Sequence, residues 1–229
     1  MTPVRLLYDQ RPARRGSEIS TRFNKQGQAL GRKGEESRRR LLDATRELLA
    51  KGSIHKLSAS AIARAASMAS QSFYLYFKDI EEVIFALSSD AARDMEQIVT
   101  LIRQAPPGSA PELLSQTVVD AFSAYWDRNR PILNARNYIA DSGNMDFLRL
   151  RQEATMPMLI AIADRIKVAA SPSLTRGQAI SRAVIVYLAM ERLAARSGAP
   201  QYEPAGYEDV DLREAEIDIL TLLFTPKEG

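Results

Sequence analysis

The chain contains no cysteine, which excludes disulfides, thiolate metal sites and cysteine nucleophiles. Its one histidine, His55, excludes a two-histidine metal site. No apolar run approaches the ~20 residues of a membrane span. The longest, Ala183 to Met190, has eight residues, so no membrane partner is expected. Arg5, Arg11, Arg14 and Arg15 are followed by no apolar stretch, so a secretory signal is not expected and a cytoplasmic location is. Alternation long enough for a half-buried strand is missing as well. Neither a Gly-x-Ser-x-Gly elbow nor a phosphate-binding glycine loop occurs, and no nucleophile–base pair can be assembled. Catalytic residues, a metal and a cofactor are therefore not expected.

What is present suits a folded domain. The chain has 229 residues, 45% of them hydrophobic and 26% charged, enough apolar mass for a real core. The net charge of +3 hides an asymmetry. Residues 1–85 carry 16 Lys and Arg against 9 Asp and Glu, whereas residues 86–229 carry 15 against 19. The basic part either meets a polyanion or is a solvated face with a tail.

Glycine and proline punctuate the chain. Residues 1–34 have four glycines, two prolines and no hydrophobic period, as expected of a flexible basic arm. Ser53 to Ala105 has neither glycine nor proline, which favours closely joined helices. A first helix is expected over about 35–51, with Leu41, Leu42, Thr45, Leu48 and Leu49 inward and Gly52 ending it. Two short helices follow, about 58–65 and 69–76. A long helix then begins where Asp79 and Glu82 have capping-box spacing, and ends before Pro106. Further helices are expected at about 111–130, 131–141, 145–170, 174–197 and 211–224. The fold class is all-α, with about nine helices in total.

The two short helices and the turn between them have the layout of a helix-turn-helix. Leu57, Ile62, Ala63, Ala66, Met68, Phe73 and Phe77 supply its apolar positions, and Ala63 and Ala66 are small where helices cross. Its second helix, Ser70 to Lys78, is rich in Ser, Gln, Tyr and Lys, which reach phosphate oxygens and base edges. The segment Leu57 to Asp79 resembles the TetR-family signature, in which an Ile-Ala…Ala-Gly-Val-Ser stretch leads into Thr-Leu-Tyr-X-Tyr-Phe-Lys. The resemblance covers about residues 35–90. It implies a flexible arm over 1–34, a three-helix DNA-binding domain over 35–80 and a larger helical domain over 81–229 for effector binding and dimerisation.

By this resemblance Ser58 caps a helix and touches a phosphate, and Ser70, Gln71, Ser72 and Tyr74 face a double-stranded DNA operator. Tyr76 and Lys78 would contact the backbone, and Phe73 and Phe77 would be core. Leu75 is either core or an apolar groove contact. Arg32, Lys33, Arg38, Arg39 and Arg40 would lie near phosphates, with Arg22 and Lys25 further along the groove or in a solubilising tail. Two positions depart from the pattern. Ser67 replaces the turn glycine, at a cost of about 1 kcal/mol for a positive φ. Ala69 replaces the usual serine cap, for about 1 kcal/mol unless Ser67 or Ser70 takes over.

Ala183 to Met190 is apolar all round, and the last helix is broadly apolar too. A helix apolar on every side must be covered, by its own core or by a second copy. The resemblance implies a homodimer through these last two helices. The middle helices offer Phe122, Tyr125, Trp126, Asn137, Tyr138, Phe147, Met156, Met158 and Tyr187, either core or an effector pocket for an unknown small molecule. Pro157 should kink its helix and open space. Arg136 and Asp141 read as a surface pair or as a polar handle. The function expected is a sequence-specific transcriptional regulator, a repressor released by an effector. Its rivals are a non-specific architectural DNA-binding protein and a helical ligand-binding protein with a non-functional DNA motif.

Overall fold

Leu41, Leu42, Thr45 and Leu49 recur at helical spacing and are buried together, and this stripe fixes the first helix, α1 (Arg32–Lys51), against its neighbours. The computed structural model describes residues 31–52, 54–106, 108–170, 174–196 and 209–226. Arg22 and Lys25 lie outside them. Among the described residues there are eight α-helices and no strand. After α1 and a short 3-10 turn come α2 (Ala59–Ala65), α3 (Ser70–Tyr76), α4 (Ile80–Gln104), α5 (Pro111–Asp141), α6 (Met145–Ala169), α7 (Arg176–Arg196) and α8 (Asp209–Phe224). The all-α expectation therefore holds.

Local chemistry sets the boundaries. Asp79 caps α4 by accepting from the Glu82 amide at 2.8 Å, and the Glu82 carboxylate turns back to the Lys78 amide. Arg165 of α6 donates to the Ile102 carbonyl at 3.1 Å and also to that of Ala105, closing the far end of α4. The two helices expected on either side of Pro131 are one helix, α5. Proline costs an internal helix one backbone hydrogen bond. Here flanking burial of Asn129, Ile132 and Leu133 keeps the helix continuous. α6 likewise continues through Pro157.

Two apolar clusters result. The first joins α1, α2 and α3 to the start of α4 through Val83, Ile84 and Leu87, to the second half of α5 through Ile132, Ala135 and Ile139, and to Phe147. The second joins the rest of α4, the first half of α5, and α6, α7 and α8. α4 and α5 thus belong to both. Asn144 reinforces the joint by capping α6 through its Oδ1 while its Nδ2 donates to Glu81 at 2.8 Å.

Candidate nucleic-acid interface and ligand site

α2 and α3 cross over Ile62, Ala63, Ala66 and Phe73, all buried. Ser58 caps α2, its Oγ accepting from the Ala61 amide at 3.1 Å. α2 then ends with Ser67 at φ 56°, in the left-handed region. The Ser67 amide donates to the Arg64 carbonyl at 2.9 Å and the Met68 amide to that of Ala63 at 2.8 Å. These are the paired bonds of a Schellman ending. α5 ends the same way, with Gly143 at φ 96° in the equivalent place. Serine at that position carries the Cβ penalty, and part of the compensation comes from α1. Arg40 donates to the Ala66 carbonyl and, at 3.4 Å, to that of Ser67, setting a cation on the C-terminus of α2. Ser67→Gly should therefore stabilise the domain by about 1 kcal/mol with no change in DNA contacts. Denaturant unfolding would check this, and a loss of stability would mean that the Ser67 side chain itself holds the turn.

The other departure has no local remedy: α3 starts at Ser70 behind Ala69, with no side-chain cap. Phe73 and Phe77 point inward and are buried. On the opposite side Ser70, Gln71, Tyr74, Leu75 and Lys78 are exposed, with Tyr74 at 53% exposure. Ser72 is half-buried, and Tyr76 packs partly against the core. Lys78 is held near Asp79, Nζ to Oδ2 3.6 Å. Arg32 and Lys33 form the exposed first turn of α1, so that helix begins earlier than expected.

Arg38 is buried, with its guanidinium 5.1 Å from the centre of the Phe77 ring, and burial lowers its pKa against the raising pull of Asp90 and Glu82. It braces the helix-turn-helix core, away from the exposed side of α3.

The residues expected to hold an effector separate into three groups. Phe122, Tyr125, Trp126 and Tyr187 are buried together, the Phe122 ring lying 6.2, 6.5 and 5.7 Å from the other three. Met158 lies in the same cluster, and Asn137 borders the site through Glu191, to which it donates at 3.3 Å. Phe147 belongs instead to the N-terminal cluster, edge-on to Phe85 at 5.4 Å. Tyr138 and Met156 are exposed, Tyr138 with its ring against His55 at 4.9 Å. The structure therefore does not bring these three together with the Phe122 group: Phe147 packs under the helix-turn-helix, and α5 and α6 turn Tyr138 and Met156 outward.

Of the two readings of Arg136, surface pair or polar handle, the structure excludes the first. Arg136 is 1% exposed, and Asp141 pairs with Arg151 at 2.8 Å rather than with it. The Arg136 Nε and Nη2 donate to the Asn137 Oδ1 at 3.1 and 3.0 Å, and Nη2 lies 3.5 Å from the Glu191 carboxylate. Its Nη1 has no hydrogen-bond partner among the described residues, and neither have the Tyr125 hydroxyl and the Trp126 Nε1. Each such unmet buried donor costs ~1–3 kcal/mol. Burial raises the pKa of Tyr125 and of Tyr187, so both phenols stay protonated. No group of three or more His, Cys, Asp or Glu among the described residues could hold a metal ion.

Residues 41–87 match the family described as bacterial regulatory proteins, tetR family. No curated protein sequence matches the chain. Among solved structures, the fatty acid degradation regulator FadR from Bacillus halodurans is similar, with TM-score 0.61 at 16% identity, over 85% of this chain and 97% of that one. A transcriptional regulator of the TerR/AcrR family from Aquifex aeolicus superposes with TM-score 0.58 at 15% identity, over 82% and 99%. FadR from Thermus thermophilus, described as a TetR-family repressor in complex with lauroyl-CoA, gives 0.53 at 20% identity, over 84% and 97%. Residues 41–87 thus match the helix-turn-helix region of the tetR family, and the described residues share the fold of these solved structures.

Proposed function

We propose that the protein binds a specific double-stranded operator as a homodimer and represses transcription until a small-molecule effector releases it. The observation that carries this reading is the two-sided third helix. Phe73 and Phe77 fasten α3 into the domain, and the opposite side presents Ser70, Gln71, Tyr74 and Lys78 outward. Such a helix lies in a major groove with donors and acceptors at base edges and cations at phosphates. Ser58, Ser72, Tyr76, Arg32 and Lys33 would add contacts at its borders. The proposed dimer rests on exposed apolar side chains of the last two helices. Ile185 is 69% exposed with Leu188 one turn on, and Leu222 of α8 is 74% exposed with Ile219 beside it. Two symmetry-related copies would bury that face and set half-sites roughly 34–36 Å apart, one helical turn. Such a regulator works where the chromosome is, in the cytoplasm.

Support for an effector comes from the aromatic group around Phe122 with its unmet donors. A ligand with 1–3 kcal/mol of preference for one domain spacing shifts operator affinity about 5–150-fold. Selection of bound fragments from random double-stranded DNA tests the reading. Sequence enrichment is expected, and retention of all sequences alike would favour an architectural role. Within an enriched site, Tyr74→Ala should lower affinity by about 1–3 kcal/mol while leaving the folded state intact. Wild-type affinity of a folded Tyr74→Ala protein would remove Tyr74 from the interface.

A further inference from the structure

We propose that the site on α5 selects an uncharged ring compound bearing a carbonyl oxygen, with Arg136 and Tyr125 as the donors that recognise that oxygen. The inference rests on the effector reading above and names the ligand class. Arg136 and Tyr125 are each 1% exposed, and the guanidinium lies near enough to the phenol to pull its pKa down against burial. Nη1 of the one and the hydroxyl of the other lack partners among the described residues. The phenol oxygen faces that guanidinium, so what the pair still lacks is an acceptor for the phenol O–H and for the spare guanidinium N–H. Phe122, Trp126 and Tyr187 supply ring faces and edges for an apolar body, and the Trp126 Nε1 is a further unmet N–H in the same cluster.

Charge decides between an anion and a neutral acceptor. The positive charge of Arg136 already faces Glu191 at 3.5 Å. The remaining charges that reach the two tyrosines are Asp94 and Arg151, one of each sign, and Arg151 is itself bonded to Asp141. The charge of Arg136 is thus already paired before any ligand enters. A carboxylate ligand would share one guanidinium with Glu191 and place an uncompensated charge in a desolvated site, the costly arrangement. A carbonyl oxygen accepts from the same N–H and O–H groups and adds no charge.

The chain has a single tryptophan, so fluorescence excited at the red edge, where tyrosine does not absorb, reports on Trp126 alone. Full-length protein is titrated with acetophenone, benzoate and ethylbenzene, which share a ring and differ in the acceptor and its charge. Acetophenone is expected to bind most tightly, by about tenfold over either of the others. Tyr125→Phe keeps the packing and removes one unmet hydroxyl. It should weaken acetophenone about tenfold and leave ethylbenzene unchanged. Glu191→Gln should reverse the order of acetophenone and benzoate by freeing the charge of Arg136. Tighter binding of benzoate to the wild-type protein would overturn the ligand class and leave the effector reading standing. No response to any of the three up to millimolar concentration would likewise overturn the ligand class, whereas the effector reading falls only if no small molecule alters operator binding.

Discussion

Phe73→Ala should unfold the helix-turn-helix and abolish operator binding, whereas the same change at the next residue should only weaken binding and leave the fold intact. Phe73 is fully buried, with Tyr74 edge-on at 5.4 Å and Phe77 at 5.7 Å. Truncating a buried phenylalanine costs about 3–5 kcal/mol through lost transfer energy and the cavity left behind. That is a large part of the 5–15 kcal/mol that holds a domain together. α2 and α3 are seven residues each, too short to persist without tertiary packing. Tyr74 is half exposed, so Tyr74→Ala should change stability by no more than about 0.5 kcal/mol. Hydrogen exchange of α2 and α3 distinguishes the two variants. Retained protection in Phe73→Ala would mean that the cluster around Leu41 and Ile62 supports the motif without it.

The second large effect is expected from Ile185→Asp combined with Leu222→Asp. Both side chains face outward from the subunit core, so the monomer should stay folded with native helix content. A charge on each α7–α8 face would then have to be buried unpaired, twice over by symmetry. Sedimentation should show a monomer. A monomer holds one half-site only, and loss of the linked second contact should weaken operator binding by about 10²–10⁴-fold. A dimer of unchanged stability would show that another surface joins the copies.

Legibility of this fold from sequence follows from where the deciding interactions lie. The helix-turn-helix was readable because its signals are local: Ser58 as a cap, Ile62 and Ala63 inward, the Phe73 and Phe77 pair one turn apart. Proline misled at 131, where burial on both sides outweighs one missing backbone bond. That break also hid Arg136. Once α5 is one helix, Phe122, Asn129 and Arg136 recur every seven residues on one buried face, and a charged residue there should have raised a question. Arg38 was unreadable for a different reason. Its partner, the ring of Phe77, is brought to it only by the crossing of helices. Phe147, Tyr138 and Met156 lie apart from the Phe122 group because composition names aromatic and methionine residues but not the side of the helix they occupy.

The unbroken run of α5 carries a mechanical consequence. Its first half holds Phe122, Tyr125 and Trp126 in the C-terminal cluster, and its second half holds Ile132, Ala135 and Ile139 under the helix-turn-helix. A rod embedded at both ends in close-packed surroundings has no slack between them. Any guest that pries apart the rings at one end must tilt, slide or twist the shaft. The displaced end lies against α1, whose cluster also holds α2 and α3, so a guest would act on the helix-turn-helix by leverage rather than through a loosened joint.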